Sequence, residues 1–332
     1  MIAIDRDLLE TLVAEARLAP SAHNIQPTRV GLDAGAILLR ADPDRRLPAA
    51  DPTGHDVRLS HGAFLEGLAL ALDRRGLALA DIALAGDAAA PAIARLTVAA
   101  APAGAAPDPL ESRVATRASW RGGFRAPDAA AGAALERLRA ANPDLLVVDD
   151  REALRRIGAL ADRAALALLS EHGPRTELLA WMRLSKRHPD YHRDGLNAEA
   201  MALSRIEAFA AGLVLGPLFA PLSRLGLAAS LVAEARKSAG ASALVLFHRP
   251  EGEDPLVSGR AFYRAWLGFD AEGFAACPMS VLVDWPEAKA DLTAAHPPPA
   301  GRRLVNVFRI GLPDRPRPIV HSRLPVAELL LG

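Results

Sequence analysis

Apolar residues recur at Leu8, Leu9, Leu12, Val13 and Ala16. That is the spacing of one helical face, and it predicts a helix over 5–19. Asp5 or Asp7 would cap its start, and Pro20 marks its stop. A polar loop follows, from Ser21 to Pro27. RVGL and AILLRAD then read as two strands of a hairpin, with Asp33, Ala34 and Gly35 between them. A second helical run, 58–75, carries Leu59, Ala63, Leu65, Leu68 and Leu72 and ends near Gly76. ARLTVAA, from Ala94, reads as a strand.

Residues 101–109 (APAGAAPDP) are rich in Pro, Ala and Gly and read as a linker. They divide the chain into lobes 1–108 and 109–332. Helical patterns follow at 128–141 and 151–171, with the strand LLVVDD between them. Residues 172–235 are irregular, with clustered charges and prolines. An insertion of that size is long for a plain loop and reads as a lid. Its most apolar stretch, Ala208 to Ser223, is about 16 residues long and contains Pro217 and Pro221. A membrane span needs about 20 residues, so this stretch reads as a buried or lid segment. SALVLFH at 242–248 is a strand, and a helix runs through 258–269. MSVLVD and LVNVFRIG read as further strands. The mixed order predicts α+β architecture and not alternating βαβ units. The halves look like loose repeats, because HGAFLEGLALALDRRGLA at 61–78 and SGRAFYRAWLGFDAEGFA at 258–275 carry similar small residues. Gly259 and Ala261 would let a helix pack closely on another backbone or on a flat ligand.

Composition narrows the function. Hydrophobic residues make up 51% of the 332 residues, enough to bury a core. Lys plus Arg and Asp plus Glu are both 39, and a neutral chain argues against a general nucleic-acid binder. Cys277 is the sole cysteine, which excludes an internal disulfide framework and a Cys-based metal cluster. MIAIDRDLLE has no long apolar stretch and does not read as a signal peptide. The expectation is a cytoplasmic protein without membrane contact.

There is no G-x-G-x-x-G, Walker loop, G-x-S-x-G or H-E-x-x-H pattern. His188 and His192 are four apart, but Pro189 disfavours helical geometry there, so no metal is expected. Two clusters carry chemistry. In ARLAPSAHNIQPTRV, residues 16–30, a helix stopped by proline presents Ser21, Asn24 and Gln26. Their mixture of donors and acceptors suits the edge of a planar heteroaromatic ligand. Composition alone favours an ordinary turn. In TRASWRGGF, Arg117, Ser119 and Arg121 share one side of an extended segment and match a phosphate. A solvated basic loop is the alternative.

Together these segments resemble the flavin-dependent nitroreductase superfamily. RASWR (117–121) is similar to the family's phosphate-holding R-x-S-x-R, and APSAHNIQP (19–27) to its flavin-contacting A-P-S-x-x-N-x-Q-P. GRAFYRAWLGFDAEGFAACPMS resembles the central helix and the turn that passes the flavin N5 edge. FRIGLP and SRLPVAELL resemble the closing strand and the basic C-terminal motif. An ordinary member has the phosphate motif first, then the Ser/Asn loop, and dimerises. Here the first half holds the loop and the second half the phosphate motif. The chain therefore resembles the double-length, Acg-type branch, a fused pseudo-dimer with one complete site. Trp181, Arg183, Asp194, Gly195 and Leu196 match that branch's W-x-R and D-G-L landmarks.

The resemblance implies two nitroreductase-like lobes mimicking a homodimer, with mixed or antiparallel sheets, central helices and a helical lid. It implies FMN as cofactor and NAD(P)H as reductant. Arg117, Ser119, Arg121 and Arg323 would hold the phosphate, and Lys237 would lie near the pyrimidine edge. Ser21, Asn24 and Gln26 would reach the flavin from the other half, and Thr28 in place of the usual Trp would open space beside it. Pro278, Met279 and Ser280 occupy the N5 turn, without the usual Glu. Cys277 beside them reads as a buried structural thiol. No protein side chain need act as acid or base, since the flavin supplies the chemistry. The acceptor would be a small electrophile such as a nitroarene or quinone, and the chain a monomer or loose homo-oligomer. A flavin-storing protein with a closed lid, or a specialised flavin oxidase or dehydrogenase, are the alternatives.

Overall fold

The Asp5 carboxylate accepts the Leu8 N–H at 2.8 Å and caps α1 (Arg6–Ala16), which buries Leu9, Leu12, Val13 and Ala16. The structure, a computed structural model, describes residues 2–85 and 91–331. β1 (Thr28–Asp33) and β2 (Ala36–Ala41) form an antiparallel hairpin. Its two turn residues, Ala34 and Gly35, have φ of 48° and 80°, the left-handed pair that a two-residue type I′ turn requires. After α2 (His55–Asp73), β3 (Leu77–Leu84) and β4 (Ala92–Ala100) complete a four-stranded sheet in the order β1-β2-β4-β3. β3 has no counterpart among the strands expected from the sequence. It is an edge strand exposed along much of its length, so its apolar residues do not alternate cleanly.

A 3-10 turn at Pro109–Arg113 ends the connection between halves. There follow α3 (Ala129–Ala141), β5 (Leu145–Val148), α4 (Arg151–Ser170) and α5 (His172–Trp181). A short parallel pair, β6 (Met182–Arg183) and β7 (Leu196–Asn197), precedes α6 (Arg205–Leu215), α7 (Phe219–Arg224), α8 (Ala228–Val232) and α9 (Ala235–Gly240). The remainder is β8 (Ala243–Pro250), α10 (Pro255–Ala271), β9 (Ala275–Pro278), α11 (Val281–Asp284), α12 (Pro286–Ala295), β10 (Arg302–Gly311) and α13 (Val326–Leu329). The second sheet, β5-β8-β10-β9, is antiparallel throughout. α3 and α10 cover one face and α4, α11 and α12 the other. Its central strands β8 and β10 are therefore apolar runs buried on both faces. The chain is α+β.

Residues 172–235 hold α5 to α8 and the start of α9, as a helical lid implies, and Ser204 and Glu207 form a capping box at the start of α6. Two expectations are corrected. The apolar stretch 208–223 is mostly not buried. Ala208 and Phe219 are, but Phe209 is 70% exposed, because α6 and α7 turn only a narrow stripe inward. Finally, MSVLVD is not a strand. Strand pairing ends at Pro278, and the Ser280 carbonyl accepts the Val283 and Asp284 N–H groups, winding 281–284 into a helical turn.

α2 and α10 pack at the centre of the molecule with their backbones nearly touching. A Cβ on Gly62 would lie 1.9 Å from the Leu256 carbonyl oxygen, and one on Gly259 would lie 2.0 Å from that of Leu59. Glycine at both positions makes this approach possible. Gly259 is thus spent on another helix and not on a flat ligand. Arg58 grips Asp254 with two hydrogen bonds of 2.6 and 2.5 Å, and Glu66 receives Arg260 and Arg264 at 2.7 and 2.8 Å.

The segment after β10 crosses back. Leu324 and Leu329 join the core of the first sheet, and the Leu331 N–H donates to the Val30 carbonyl at 2.7 Å. No helix among the described residues is long and apolar enough to cross a membrane.

Candidate functional site

A cavity of about 690 Å³ lies between the halves. Cofactor and small-molecule sites commonly span roughly 300–1,000 Å³. Its walls come from the loop after α1, the start of α2, the segment 117–121, the turn after β9, the lid, and the crossing segment 315–323.

The loop after α1 is strained and held from several sides. His23, Asn24 and Gln26 have φ of 45°, 55° and 51°, the left-handed region that non-glycine residues rarely enter. The Ser60 hydroxyl accepts the Ala22 N–H at 3.0 Å, and the Ser21 hydroxyl accepts that of Gln26 at 3.0 Å. Asn24 donates to the Gly195 and Ser322 carbonyls at 3.1 and 3.0 Å. Gln26 donates to the Arg193 carbonyl at 2.9 Å and accepts the Leu324 N–H at 2.8 Å. This network ties the loop to the lid and to the crossing segment at once.

The segment 117–121 runs beside β9, with Ser119 bridged to Ala276 and the Trp120 N–H on the Ala276 carbonyl at 2.8 Å. Arg117, Ser119 and Arg121 all line the cavity. Arg117 is 2% exposed and lies 4.7 Å above the Trp266 ring centre. One guanidinium nitrogen donates to the Leu18 carbonyl at 2.7 Å, but its Nε is buried with no hydrogen-bond partner. Arg323 donates to the carbonyls of Arg17, Leu18, Ala19 and Ser322 and to the Asn24 Oδ1. No carboxylate is paired with Arg117 or Arg323 among the described residues. Burial, then the Arg117 charge, pushes Arg323 down to about 9. Burial likewise lowers Arg117. Burial, followed by the charges of Arg323, Arg117 and Arg317, holds His321 down to about 4. A buried guanidinium beside a half-buried one, neither paired with a carboxylate, is costly, and an anion in the cavity would relieve that cost.

The opposite wall is acidic. Asp56, at the start of α2, and Asp284, at the end of α11, both line the cavity with Asp51. Asp284 is exposed toward the cavity, and the protein packed around it, with the nearby Asp51 charge, pushes its carboxyl up to about 6, against a lowering hydrogen bond from Ser280. Burial, then Asp284 and Asp51, raises Asp56 as well. The cavity is cationic on one wall and protonatable on the other.

Of the residues singled out from the sequence, Ser21, Asn24, Arg117, Ser119, Arg121, Pro278, Ser280 and Arg323 line the cavity. Three do not, and their placement is corrected. Gln26 turns behind the loop, drawn there by the Arg193 carbonyl and the Leu324 N–H. Lys237 is spent on Glu234 at 2.7 Å, beside the buried Arg309. Met279 is buried beneath β10, its N–H on the Val307 carbonyl. Thr28 meets His61 Nδ1 at 2.8 Å in the core and does not border the cavity. Cys277 is buried. His188 accepts the Asp190 N–H at 3.1 Å, and no group of three His, Cys, Asp or Glu among the described residues is placed to hold a metal. The residues that sequence reasoning missed are His23, Asp56, Asp284, Asn306, Arg315 and His321. Only His23 carried a signal, its place inside the loop already singled out.

No family model and no curated protein matches the chain. Among solved structures it is similar to oxidised iodotyrosine deiodinase bound to FMN and 3-iodo-L-tyrosine, at 15% identity over 63% of this chain and 92% of that one, TM-score 0.35. It is also similar to a BluB-like flavoprotein from Clostridium difficile 630, at 16% over 68% and 99%, TM-score 0.36. A third is the FMN-dependent nitroreductase NfnB from Mycobacterium smegmatis in complex with NADPH, at 17% over 61% and 87%, TM-score 0.33. At this level of superposition the likeness assigns no role to any residue.

Proposed function

We propose that the chain is an FMN-binding oxidoreductase of the nitroreductase type, passing hydride from NAD(P)H to a small electrophilic acceptor. The halves are two related lobes that share one site. The observation that carries this reading is Arg117: a buried guanidinium on the cavity wall with no carboxylate partner. A phosphate supplies the missing charge and acceptor together.

When bound, FMN supplies the hydride chemistry. Arg117 and Arg121, with Ser119 between them, would hold its phosphate, and Arg323 would add positive charge. Ser21, Pro278 and Ser280, which line the same cavity, would border the rest of the cofactor. Trp266 and Phe262 wall the cavity and exclude water from one side. Asp56 and Asp284, carboxyls both raised above their ordinary value, face the same cavity.

The test is reconstitution of the purified protein with FMN, followed by anaerobic addition of NADPH. A yellow protein that bleaches supports the reading, and a protein that takes up no FMN sinks it. Arg117→Met combined with Arg121→Ala should lose the cofactor, and unchanged occupancy would refute the phosphate assignment. One observation favours flavin storage as a second reading. The lid is bonded to the site through the Arg193, Gly195 and Ala200 carbonyls, held by Gln26, Asn24 and Arg121. FMN that binds but never bleaches with NADH or NADPH would select it.

A further inference from the structure

Asn306 stands on β10, is only 5% exposed, and lines the cavity. Its Oδ1 accepts the Val307 N–H at 2.8 Å, which settles which end of the amide is oxygen. The NH2 end makes no hydrogen bond among the described residues. It is not sealed beneath other atoms either, unlike the orphaned nitrogens of the core, so an occupant of the cavity can reach it. A nearly buried donor left unpaired costs stability, and an occupant that pairs it removes the cost.

The complementary groups stand on the same acidic wall. The Met279 N–H on the Val307 carbonyl brings the start of α11 beside Asn306, and Asp284 ends that helix. Asp284 and Asp56 both line the cavity, and neither makes an ion pair among the described residues. Asp51 is different, because it already accepts the Val57 N–H at 2.8 Å. One free donor and two unpaired carboxyls therefore face the same space.

We propose that Asn306 and Asp284, with Asp56 beside them, form a subsite for a primary carboxamide, that of the nicotinamide reductant. The proposal rests on the flavin reading above, and it uses none of the residues given there to the cofactor. A carboxamide carries an acceptor oxygen and a donor NH2 on one carbon. The Asn306 NH2 donates to the oxygen, and the Asp284 carboxylate accepts from the carboxamide NH2. A carboxylate in place of the carboxamide is rejected, since it brings no N–H and meets the Asp284 charge.

Free nicotinamide and nicotinate, which differ in that one group, are the probes, and the FMN-loaded protein is the receptor. Calorimetry on the oxidised protein gives both Kd values, and reconstitution gives the FMN Kd. The unsubstituted protein should bind nicotinamide at least about tenfold more tightly than nicotinate, the scale of one hydrogen bond. Asn306→Ala should weaken nicotinamide about tenfold for the same reason. Asp284→Asn keeps the side chain's shape at a position open to the cavity, so folding is retained and the test stands even if Asn306→Ala does not fold. It should bring the two probes within about threefold of each other. The FMN Kd should stay within about twofold in both variants. Equal affinity for the two probes in the unsubstituted protein overturns the proposal, as does unchanged discrimination in Asp284→Asn. Either result leaves the flavin reading intact where FMN still binds and bleaches. A loss in Asn306→Ala confined to the FMN Kd overturns the proposal too, by making Asn306 a cofactor contact. Failure of the unsubstituted protein to bind FMN overturns the flavin reading and the carboxamide subsite with it.

Discussion

Gly62 and Gly259 stand Cα to Cα at the crossing of α2 and α10, each occupying the space into which the other's Cβ would project. The relationship is reciprocal down to the register. Gly62 faces the carbonyl of Leu256, three residues before Gly259, and Gly259 faces that of Leu59, three residues before Gly62. Such reciprocity is what two copies of one helix would make about a two-fold axis. It supports the reading of the halves as related lobes.

A methyl group at either glycine meets backbone, which cannot rotate away. Gly62→Ala and Gly259→Ala should each destabilise by about 3 kcal/mol or fail to fold. Gly268→Ala, on the same α10 with nothing within 4 Å of its Cβ position, should stabilise by roughly 0.5–1 kcal/mol. Urea midpoints check both. Equal, small effects at positions 62 and 268 would contradict the close crossing.

The lid is pinned by a buried trio. Asp194 receives Arg183 at 2.8 Å and Arg45 at 3.0 Å, joining the lid to the first half. Asp194→Ala leaves two guanidiniums without their shared partner, at about 3–5 kcal/mol for a buried pair. Limited proteolysis should then cut rapidly between 184 and 200. Protection equal to the parent protein would show that the trio does not hold the lid.

The pH dependence of stability has opposing parts. His23 and His321, at about 4, and His61, at about 3, sit below the ordinary value of 6.5, mainly through burial. Each contributes stability present above 6.5 and lost as pH falls toward 4. Asp284 at about 6, and Asp56, are raised by burial and neighbouring carboxylates. Both contributions are present near pH 3.8; that of Asp284 is lost as pH rises through 6, and that of Asp56 as pH rises above the ordinary carboxylate range. Three histidines outweigh two carboxyls, so urea midpoints should rise between pH 4 and 6. Asp284→Asn should make the rise steeper and gain on the parent as pH approaches 7. A midpoint that falls over this range would contradict the buried neutral histidines.

Ile206, Phe209 and Leu225 are 81%, 70% and 72% exposed on α6 and just after α7. Replacing all three with serine should sharply reduce binding of the hydrophobic dye ANS. The unfolding free energy from urea titration should change by less than about 0.5 kcal/mol per site. A large loss of stability would mean that these side chains are buried after all.

What the sequence revealed depended on how local the cause was. Asp5 and Pro20 bound α1, and Ala34-Gly35 turns the hairpin, each within a few residues of its effect. The apolar runs SALVLFH and LVNVFRIG marked the strands β8 and β10. At 281–283 the β-branched residues pointed to a strand, but sheet pairing stops at Pro278 and tertiary context decides. In the lid, charges and prolines concealed helices whose apolar residues face outward. The site divides in the same way. Ser21, Asn24, Arg117, Ser119 and Arg121 sit in short clusters and were found together. Asp56, Asp284, Arg315 and His321 reach the cavity singly from distant segments, and a lone acid or base has no spacing to betray it. Gln26, Lys237 and Met279 lie near the site in sequence but are turned away by nearer partners.

Arg323 hydrogen-bonds the carbonyls of Arg17, Leu18 and Ala19, just beyond the last turn of α1, while its charge faces the cavity. The same side chain therefore finishes a helix at the other end of the chain and helps to charge the ligand site. An anion that fixes this guanidinium also fixes the end of that helix. Ligand occupancy would then be legible in the backbone that leaves α1, as slower amide hydrogen exchange where the helix gives way to Pro20.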